Sequence, residues 1–131
     1  MKPLFSLFIL AALFLTACSS ASAPSFGGTW NLVSYNGIPA APGVNTSIEF
    51  KDGKVNGNVG CNGFSGEYKL KGATIKFDKM MSTLMACTDP IATQELVAFA
   101  TLSQSASFVL NGDTLTVTSA DGASVIVLTQ K

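Results

Sequence analysis

Four dipeptides that end in glycine divide the chain into short segments rich in β-forming residues. They are Asp52-Gly53, Lys71-Gly72, Asn111-Gly112 and Asp121-Gly122. Such dipeptides suit two-residue hairpin loops, because glycine readily adopts the positive φ that these loops require. The spacing of these turn dipeptides predicts a series of antiparallel strands joined by tight turns.

Each predicted loop sets a register, and in each register one face of the hairpin is apolar. The predicted facing pairs are Phe50 with Val55, Ile48 with Gly57, Tyr68 with Ile75, Gly66 with Phe77, Phe108 with Leu115, Val117 with Ile126 and Leu115 with Leu128. On the solvent face, Glu67 is expected opposite Lys76 as a favourable charge pair. Strand parity also places Cys61 on the core face, together with Val55 and Val59.

One helix interrupts the strands. Asp89 is expected to cap it and Pro90 to occupy its first position, and the helix should run from Ile91 to about Gln104. Its stripe of small and apolar residues is expected to pack on the sheet or cover its open end; a partner-binding face is the alternative. The stripe consists of Ala92, Leu96, Phe99, Ala100 and Ser103.

Together these elements predict an α+β fold that is predominantly antiparallel β. We expect a small barrel-like meander of about seven or eight short strands, with one helix inserted before the last three strands. A barrel of about eight strands is just wide enough to be filled by its own side chains or to hold one small ligand. The side chains predicted to fill it are Trp30, Phe50, Tyr68, Phe77 and Phe108.

The N-terminal segment has the features of an export signal. Lys2 precedes an apolar run from Leu4 to Leu15, which is too short to span a bilayer, since a membrane helix needs about 20 apolar residues. The run ends in Leu15-Thr16-Ala17-Cys18, which resembles the lipobox of bacterial lipoproteins, where the cysteine is lipidated and becomes the new N-terminus. A retained membrane helix and ordinary secretory cleavage are the alternatives.

This signal defines the predicted domain organisation. Residues 1–17 are the signal peptide, residues 18–27 are the lipidated Cys18 and a flexible tether, and residues 28–131 are one β domain. Two or three acyl chains on Cys18 would anchor the protein firmly in a membrane. By resemblance to lipoproteins of two-membrane bacteria, Ser19 favours the outer membrane of the cell envelope, with the domain facing the periplasm.

The charges argue against several classes of function. Beyond residue 17 there are seven lysines and eight carboxylates, with no arginine and no histidine. This balance argues against nucleic acid as a partner, because phosphate binding relies on clustered Lys and Arg. Histidine and paired carboxylates, the usual acid-base groups, are missing, so we expect no enzymatic activity. The one lysine grouping is interpreted as a solvated strand face and comprises Lys69, Lys71, Lys76 and Lys79.

The cysteines and methionines beyond the signal peptide favour a disulfide and leave two alternatives, a redox pair and a copper site. Without the lipidated Cys18, Cys61 and Cys87 form an even pair in an oxidising compartment, which favours a structural disulfide. The spacing is not Cys-x-x-Cys, so a catalytic redox pair is the weaker alternative. Soft sulfur ligands near Cys87 could hold Cu(I), but methionine is more often core filler, so no metal or cofactor is predicted. The methionines concerned are Met80, Met81 and Met85.

Four glycines recur at every third position, namely Gly57, Gly60, Gly63 and Gly66. No Lys-Ser/Thr pair and no helix follow them, so they do not form a phosphate-binding loop. We expect the Gly60–Gly63 segment to need unusual backbone angles where a strand meets a turn.

Several blocks in this order resemble the META domain (DUF306) of the heat-shock lipoprotein HslJ type. They are Thr29-Trp30-x-Leu32, Gly57, Gly60-Cys61-Asn62-Gly63-Phe64-Ser65-Gly66-x-Tyr68, Thr83-x-Met85-Ala86-Cys87, Glu95, and Leu115-x-Val117 with Asp121-Gly122. The resemblance covers residues 28–131 and implies a compact antiparallel β domain with one helix. It also implies a disulfide between Cys61 and Cys87, an envelope location and a link to stress. The family motif contains no catalytic residue.

Two functions remain open at this point. The first is an envelope-anchored lipoprotein whose non-catalytic domain is a stress-related interaction or scaffold module for an unknown envelope protein. The second is a carrier or sensor that holds a small apolar ligand inside the barrel. A closed core with an exposed apolar patch favours the first function, whereas a cavity lined by the core aromatics favours the second.

Overall fold

The structure is a computed structural model that describes residues 25–131. The predicted signal peptide, Cys18 and most of the predicted tether lie outside the described residues. The elements are β1 Gly28–Tyr35, β2 Ile38–Pro39, β3 Ser47–Lys51, β4 Lys54–Asn58, β5 Gly63–Lys71, β6 Thr74–Ser82, α1 Ile91–Leu102, β7 Ser105–Asn111, β8 Thr114–Ser119 and β9 Val125–Gln130.

Eight of the strands form a closed antiparallel barrel. They follow one another in chain order from β1 and β3 to β9, and the pairing of β1 with β9 closes the ring. The two-residue β2 folds back on the end of β1 and takes no part in closure. The helix α1 precedes the last three strands, so the predicted meander and the position of its helix are confirmed.

The hairpin registers are partly as predicted. The β3–β4 pairs and the β8–β9 pairs are confirmed, including Phe50 with Val55 and Leu115 with Leu128. The β5–β6 and β7–β8 registers are wrong, because each loop begins one residue later than predicted. Tyr68 therefore faces Phe77 instead of Ile75, and Phe108 faces Val117 instead of Leu115.

The two displaced loops have a common physical reason. Gly72 (φ 58°) and Gly112 (φ 61°) are the first loop residues, and the residue after each has a negative φ. This is the pattern of a type II′ turn, which requires glycine at its first central position. In the β3–β4 loop, Asp52 and Gly53 both have positive φ, as a type I′ turn requires.

The shifted β5–β6 register also overturns the predicted Glu67–Lys76 pair. Glu67 lies opposite Asp78, and a bulge in β6 places Lys79 at a positive φ of 51°. The Lys79 Nζ atom reaches back across the bulge to Glu67 Oε1 at 2.9 Å. The charge partner of Glu67 is therefore Lys79.

The barrel interior is filled by its own side chains. Of the five aromatic residues predicted to fill it, Tyr68 is half-buried and the other four are buried. Phe26 is also buried, although the sequence places it in the tether, and its backbone carbonyl accepts a hydrogen bond from Trp30 Nε1 (2.9 Å). The core therefore begins at Phe26, two residues before the predicted domain boundary.

The two ends of the barrel differ. The β3–β4, β5–β6 and β7–β8 loops lie at one end, where β1 begins, since Gly28 pairs with Phe50. The Phe26 ring fills this end against Phe50 and Phe108, with ring centroids 5.1 and 4.8 Å apart. We call it the hairpin end. The helix α1 packs across the opposite end, in contact with β1, β7, β8 and β9.

The buried face of α1 is not the predicted stripe. Leu96 and Ala100 are exposed, and the inward residues are Gln94, Glu95, Ala98, Thr101 and Leu102. Gln94 accepts a hydrogen bond from Ala41 N (2.7 Å) and donates one to the Val59 carbonyl. Polar side chains on the inner face satisfy loop backbone groups at the barrel end, so an apolar periodicity could not identify that face.

The helix start also differs by one position. The helix begins at Ile91, with Pro90 as its N-cap residue. Asp89 Oδ1 accepts hydrogen bonds from Thr93 N (3.2 Å) and Thr93 Oγ1 (2.6 Å), so Asp89 still satisfies a free amide of the first turn. The helix ends at Leu102, two residues before the predicted end.

Three of the periodic glycines, Gly57, Gly60 and Gly66, leave no room for a Cβ atom, and none of the four has an unusual backbone angle. Gly57, Gly60, Gly63 and Gly66 all lack positive φ, which contradicts the expectation for Gly60–Gly63. A Cβ atom on Gly57 would lie 2.1 Å from the Ser47 carbonyl oxygen. Because that neighbour is backbone, it cannot move without disturbing the β3–β4 pairing.

We expect Gly57→Ala to lower the free energy of unfolding by about 2 kcal/mol, since overpacking here displaces a strand. Gly63→Ala is the matched control, because the nearest atom to its Cβ is 3.8 Å away. Urea denaturation of both variants measures the difference. Equal losses would contradict the close-approach explanation.

Among residues 25–131, no helix has the length and hydrophobicity needed to span a bilayer.

Candidate functional site

A buried carboxylate organises the loops at the helix end of the barrel. Glu95 Oε1 accepts hydrogen bonds from Cys61 N (2.9 Å) and Asn62 N, and its Oε2 accepts one from Asn62 Nδ2 (2.9 Å). Glu95 is buried and reaches these groups from the second turn of α1. The helix therefore holds the β4–β5 loop through one side chain.

Asn62 extends this network to the segment after β6. Its Oδ1 accepts hydrogen bonds from Met85 N (2.7 Å) and Thr83 Oγ1 (2.9 Å), and its Nδ2 donates to the Met85 carbonyl (3.2 Å). Asn62 itself is buried. Residues 83–88 have no regular secondary structure, so Asn62 gives this segment a defined path.

A disulfide joins Cys61 to Cys87 beside this network, as the cysteine count predicts. Cys61 does not lie on a core-facing strand position, because β4 ends at Asn58 and Cys61 is half-buried in the following loop. The core-facing strand position predicted for Cys61 is therefore wrong, whereas its pairing with Cys87 is as predicted. The bond ties the β4–β5 loop to the residue just before the helix.

The ligand chemistry of this cluster is limited by its bonding. Side-chain atoms of Cys61, Cys87 and Glu95 lie within 4.8 Å of one another, which is close enough for a metal ion. Both sulfur atoms belong to the disulfide, so neither is a thiolate ligand in this form. Met80 is half-buried against the core, while Met81 and Met85 are exposed.

The ordered segment presents apolar side chains to solvent. Leu84 is 94% exposed, Met81 70% and Met85 58%, and Leu96 on the outer face of α1 is 71% exposed. We call these four residues, together with the half-buried Phe99, the distal apolar surface. A groove of about 380 Å³ runs through it between the 82–87 segment and α1. This surface lies at the helix end, opposite the end where Phe26 enters the barrel.

The distal apolar surface continues into an opening in the barrel wall. β7 pairs with β6 only at Thr74, Ile75 and Lys76, whereas β6 extends to Ser82. Beyond the paired part, the C-terminal half of α1 lies beside β6. A cavity of about 160 Å³ separates them, lined by Phe64, Met80, Met81, Ser82, Phe99, Leu102 and Ser103.

This region carries little charge. In the described chain, Glu95 is the one charged residue of α1, and it is buried. Residues 80–88 contain no charged side chain. The accessible surface is therefore apolar and uncharged, which suits the burial of another apolar surface.

Six of the motif residues thus meet at one place, namely Cys61, Asn62, Thr83, Met85, Cys87 and Glu95, whereas Trp30, Leu32, Leu115 and Val117 are buried in the barrel core. A protein-family model described as the META domain matches residues 23–131. This chain belongs to the META domain family. A search of curated proteins found no match to the sequence.

Solved structures show the same META-domain fold. An NMR structure of a protein is 24% identical, with a TM-score of 0.65 over 78% of this chain and 87% of that one. An NMR structure of a Burkholderia xenovorans protein is 18% identical, with a TM-score of 0.62 over 79% of this chain and 81% of that one. A crystal structure of a DUF4847 family protein from Bacteroides vulgatus is 16% identical, with a TM-score of 0.56 over 80% of this chain and 93% of that one.

In this META domain, the motif is explained by the loop that it builds. Asn62, Thr83, Cys87 and Glu95 use their polar or sulfur atoms to hold residues 83–88 in place. The family resemblance identifies these four residues from sequence but does not include Gln94. The adjacent Gln94 and Glu95 in an otherwise uncharged helix were the available signal for a polar inner face.

Proposed function

We propose that this chain is an envelope-anchored lipoprotein whose META domain is a non-catalytic interaction module with a stress-related role. Cys18 carries the lipid anchor, in the outer membrane facing the periplasm, and the distal apolar surface binds an apolar segment of an envelope protein. The observation that carries the proposal is the exposure of Met81, Leu84, Met85 and Leu96 on a barrel whose interior is already filled.

The filled interior favours this proposal over a carrier of a small apolar ligand. Trp30, Phe50, Phe77 and Phe108 are buried against one another and against strand residues in one core cluster. A ligand inside the barrel would have to displace these side chains, at the cost of close-packed contacts. Binding on the distal apolar surface displaces nothing.

The ordered loop also supports a binding role. An exposed leucine on a mobile segment would lose conformational entropy on binding, whereas Leu84 lies between residues that are already fixed. Thr83 and Met85 on either side are hydrogen bonded to Asn62. The buried network therefore pre-organises an apolar contact surface.

The balance of charge further supports a protein partner in place of nucleic acid. The described residues contain no arginine, and the distal apolar surface has no accessible cationic group. Specific binding of DNA at physiological salt would need such groups close together.

The proposal is tested with a photo-crosslinking residue at position 84 of the full chain in intact cells. We expect a discrete crosslinked species from position 84 and none from position 109, since Val109 is comparably exposed (65%) on the outer face of β7. Leu96→Asp should reduce the crosslinking from position 84 about tenfold, as for loss of a central interface residue. Val109→Asp is the matched control and should leave it unchanged.

Two further measurements separate the parts of the proposal. Cys18→Ala should abolish labelling by radioactive fatty acid and release the protein from the membrane fraction; persistent labelling contradicts the anchor. Equal crosslinking from positions 84 and 109 contradicts the interaction surface. A co-purifying small apolar molecule, seen by native mass spectrometry and retained in Leu96→Asp, would favour the carrier function instead.

A further inference from the structure

The near-neutral net charge conceals a separation of charge. Five exposed lysines lie on the outer surface of neighbouring strands β3 to β6, towards the hairpin end: Lys51, Lys54, Lys69, Lys71 and Lys76. We call this surface the basic wall. With Lys79, the stretch from β3 to β6 carries six lysines against four carboxylates, an excess of two positive charges; the carboxylates are Glu49, Asp52, Glu67 and Asp78. The side chains of the other described residues carry an excess of three negative charges.

The lysines of the basic wall are placed against one another. Lys51 lies directly opposite Lys54, and Lys69 lies directly opposite Lys76, in antiparallel pairs. Like charges in such positions destabilise a sheet, because the side chains are within about 5.5 Å of each other at Cβ. An anion that binds between them would relieve this repulsion.

The neighbouring groups neutralise the basic wall only in part. Glu67 lies directly opposite Lys54 but forms its salt bridge with Lys79, and the hydrogen bond and charge of Glu67 raise the pKa of Lys79, so Lys79 stays protonated. Glu49 accepts a hydrogen bond from Asn56 Nδ2, and Asp78 accepts one from Lys79 N. Burial, and then the charge of Asp52, raise the pKa of Tyr68, so its phenol stays neutral. The excess positive charge is therefore available to an external anion.

The basic wall lies where the membrane tether enters the domain. Phe26 plugs the hairpin end, with its ring stacked on Tyr68 at 6.2 Å, and Gly28 pairs with Phe50, the residue before Lys51. Seven residues, 19–25, separate Cys18 from Phe26. A flexible coil of seven residues has a reach of about 15 Å. A tether of this reach allows the wall to approach the membrane to within the Debye length of about 8 Å at physiological salt, where headgroup charge acts on it.

We propose that the basic wall binds the anionic phospholipid headgroups of the membrane in which Cys18 is anchored. This inference rests on the proposed lipid anchor. Lysine ammonium groups contact phosphodiesters as point charges, without the planar geometry that arginine would require. Docked in this way, the domain turns the distal apolar surface away from the anchoring membrane and towards the periplasmic partner.

The experiment uses residues 18–131 with Cys18→Ser, so that no acyl chain contributes to binding. Flotation is measured with vesicles of phosphatidylethanolamine containing about 30% phosphatidylglycerol, and with vesicles of phosphatidylcholine. We expect binding to the anionic vesicles only, and a clear weakening between about 50 and 200 mM salt. The double variant Lys54→Gln/Lys69→Gln should bind about 30-fold more weakly, since each lysine near an anionic surface contributes about fivefold.

A charge-transplant variant is the matched control. Adding Thr116→Lys and Thr118→Lys to the double variant restores the net charge on β8, which lies across the eight-stranded ring from β4. We expect this variant to remain as weak as the double variant. Thermal unfolding should show little change of stability in the double variant, because relief of the two like-charged pairs offsets the loss of the attraction between Lys54 and Glu67 across β4 and β5.

Three outcomes would overturn the inference. They are equal binding to neutral vesicles, full recovery in the charge-transplant variant, and binding to duplex DNA as tight as to anionic vesicles at the same salt. The protein used has no lipid anchor, so these outcomes leave the fatty-acid labelling test of Cys18 unaffected.

Discussion

Cys61→Ser is expected to lower the free energy of unfolding by about 2–5 kcal/mol, the usual loss when a small exported domain loses a disulfide. The bond spans 26 residues of sequence and connects the β4–β5 loop to the start of α1. Without it, the unfolded chain gains the entropy of an open loop, and the segment before the helix is held by its hydrogen bonds to Asn62 and Gly63. Chemical denaturation under oxidising conditions measures the loss.

Cys61 and Cys87 form a single disulfide bond, and this provides the controls. Cys87→Ser should cost about as much as Cys61→Ser, and the double variant little more than either, because all three remove the same interaction. Adding a thiol reductant should bring the unmodified protein to the same stability. Additive losses in the double variant, or two free thiols in protein isolated from the envelope, would contradict a structural disulfide.

Glu95→Ala is expected to lower the free energy of unfolding by about 3 kcal/mol. The change leaves Cys61 N and Asn62 N without their acceptor at the barrel end, and Asn62 Nδ2 keeps only its hydrogen bond to the Met85 carbonyl oxygen among its oxygen acceptors. An unsatisfied buried donor costs about 1–3 kcal/mol, and local relaxation allows water to reach some of these groups. Urea denaturation measures the loss, and amide exchange at Met85 should accelerate because Asn62 loses its support.

The adjacent helix position provides the control for Glu95. Leu96→Ala should change stability by less than about 0.5 kcal/mol, because Leu96 is exposed. Glu95→Gln should lower the free energy of unfolding by more than Leu96→Ala and by less than Glu95→Ala. Its amide oxygen still accepts a hydrogen bond, whereas its amide nitrogen faces the donor Asn62 Nδ2. A double-mutant cycle with Asn62→Ala should give a coupling of at least about 1 kcal/mol. Independent losses at Asn62 and Glu95 would contradict the network.

The strand faces could be predicted from sequence even where the registers could not. The two wrong hairpins are displaced by a whole pair, so Tyr68, Phe77, Phe108 and Val117 still face the core. Alternation along a strand determines which side chains are buried, whereas the loop conformation determines which residues face each other. The choice between types I′ and II′ depends on φ at the two loop residues. In Lys-Gly and Asn-Gly the glycine can be the second loop residue of a type I′ turn or the first loop residue of a type II′ turn, so the dipeptide alone does not fix the register.

The candidate site was predicted only in part, for a different reason. The pairing of Cys61 with Cys87 was predicted from their number and from an expected oxidising compartment, and the family motif identified Asn62 and Glu95. The inward face of α1 did not follow, because Gln94 and Glu95 are polar residues buried by hydrogen bonds to distant loops. The periodicity of hydrophobic residues cannot reveal a buried polar side chain that is stabilised by its hydrogen-bond partners.

The sequence by itself determined the strand-and-turn pattern, the single helix, the disulfide partners and the near-balance of charge. Only the tertiary structure decided how these local features combine. Pairing of β4 with β5 brings Lys51 and Lys54 to the same wall as Lys69 and Lys76, and the helix leaves Leu84 and Leu96 exposed at the far end. The physical reason is that the pairing of separate hairpins and the docking of the helix join residues far apart in the chain, whereas turn propensity and alternation act only between neighbours.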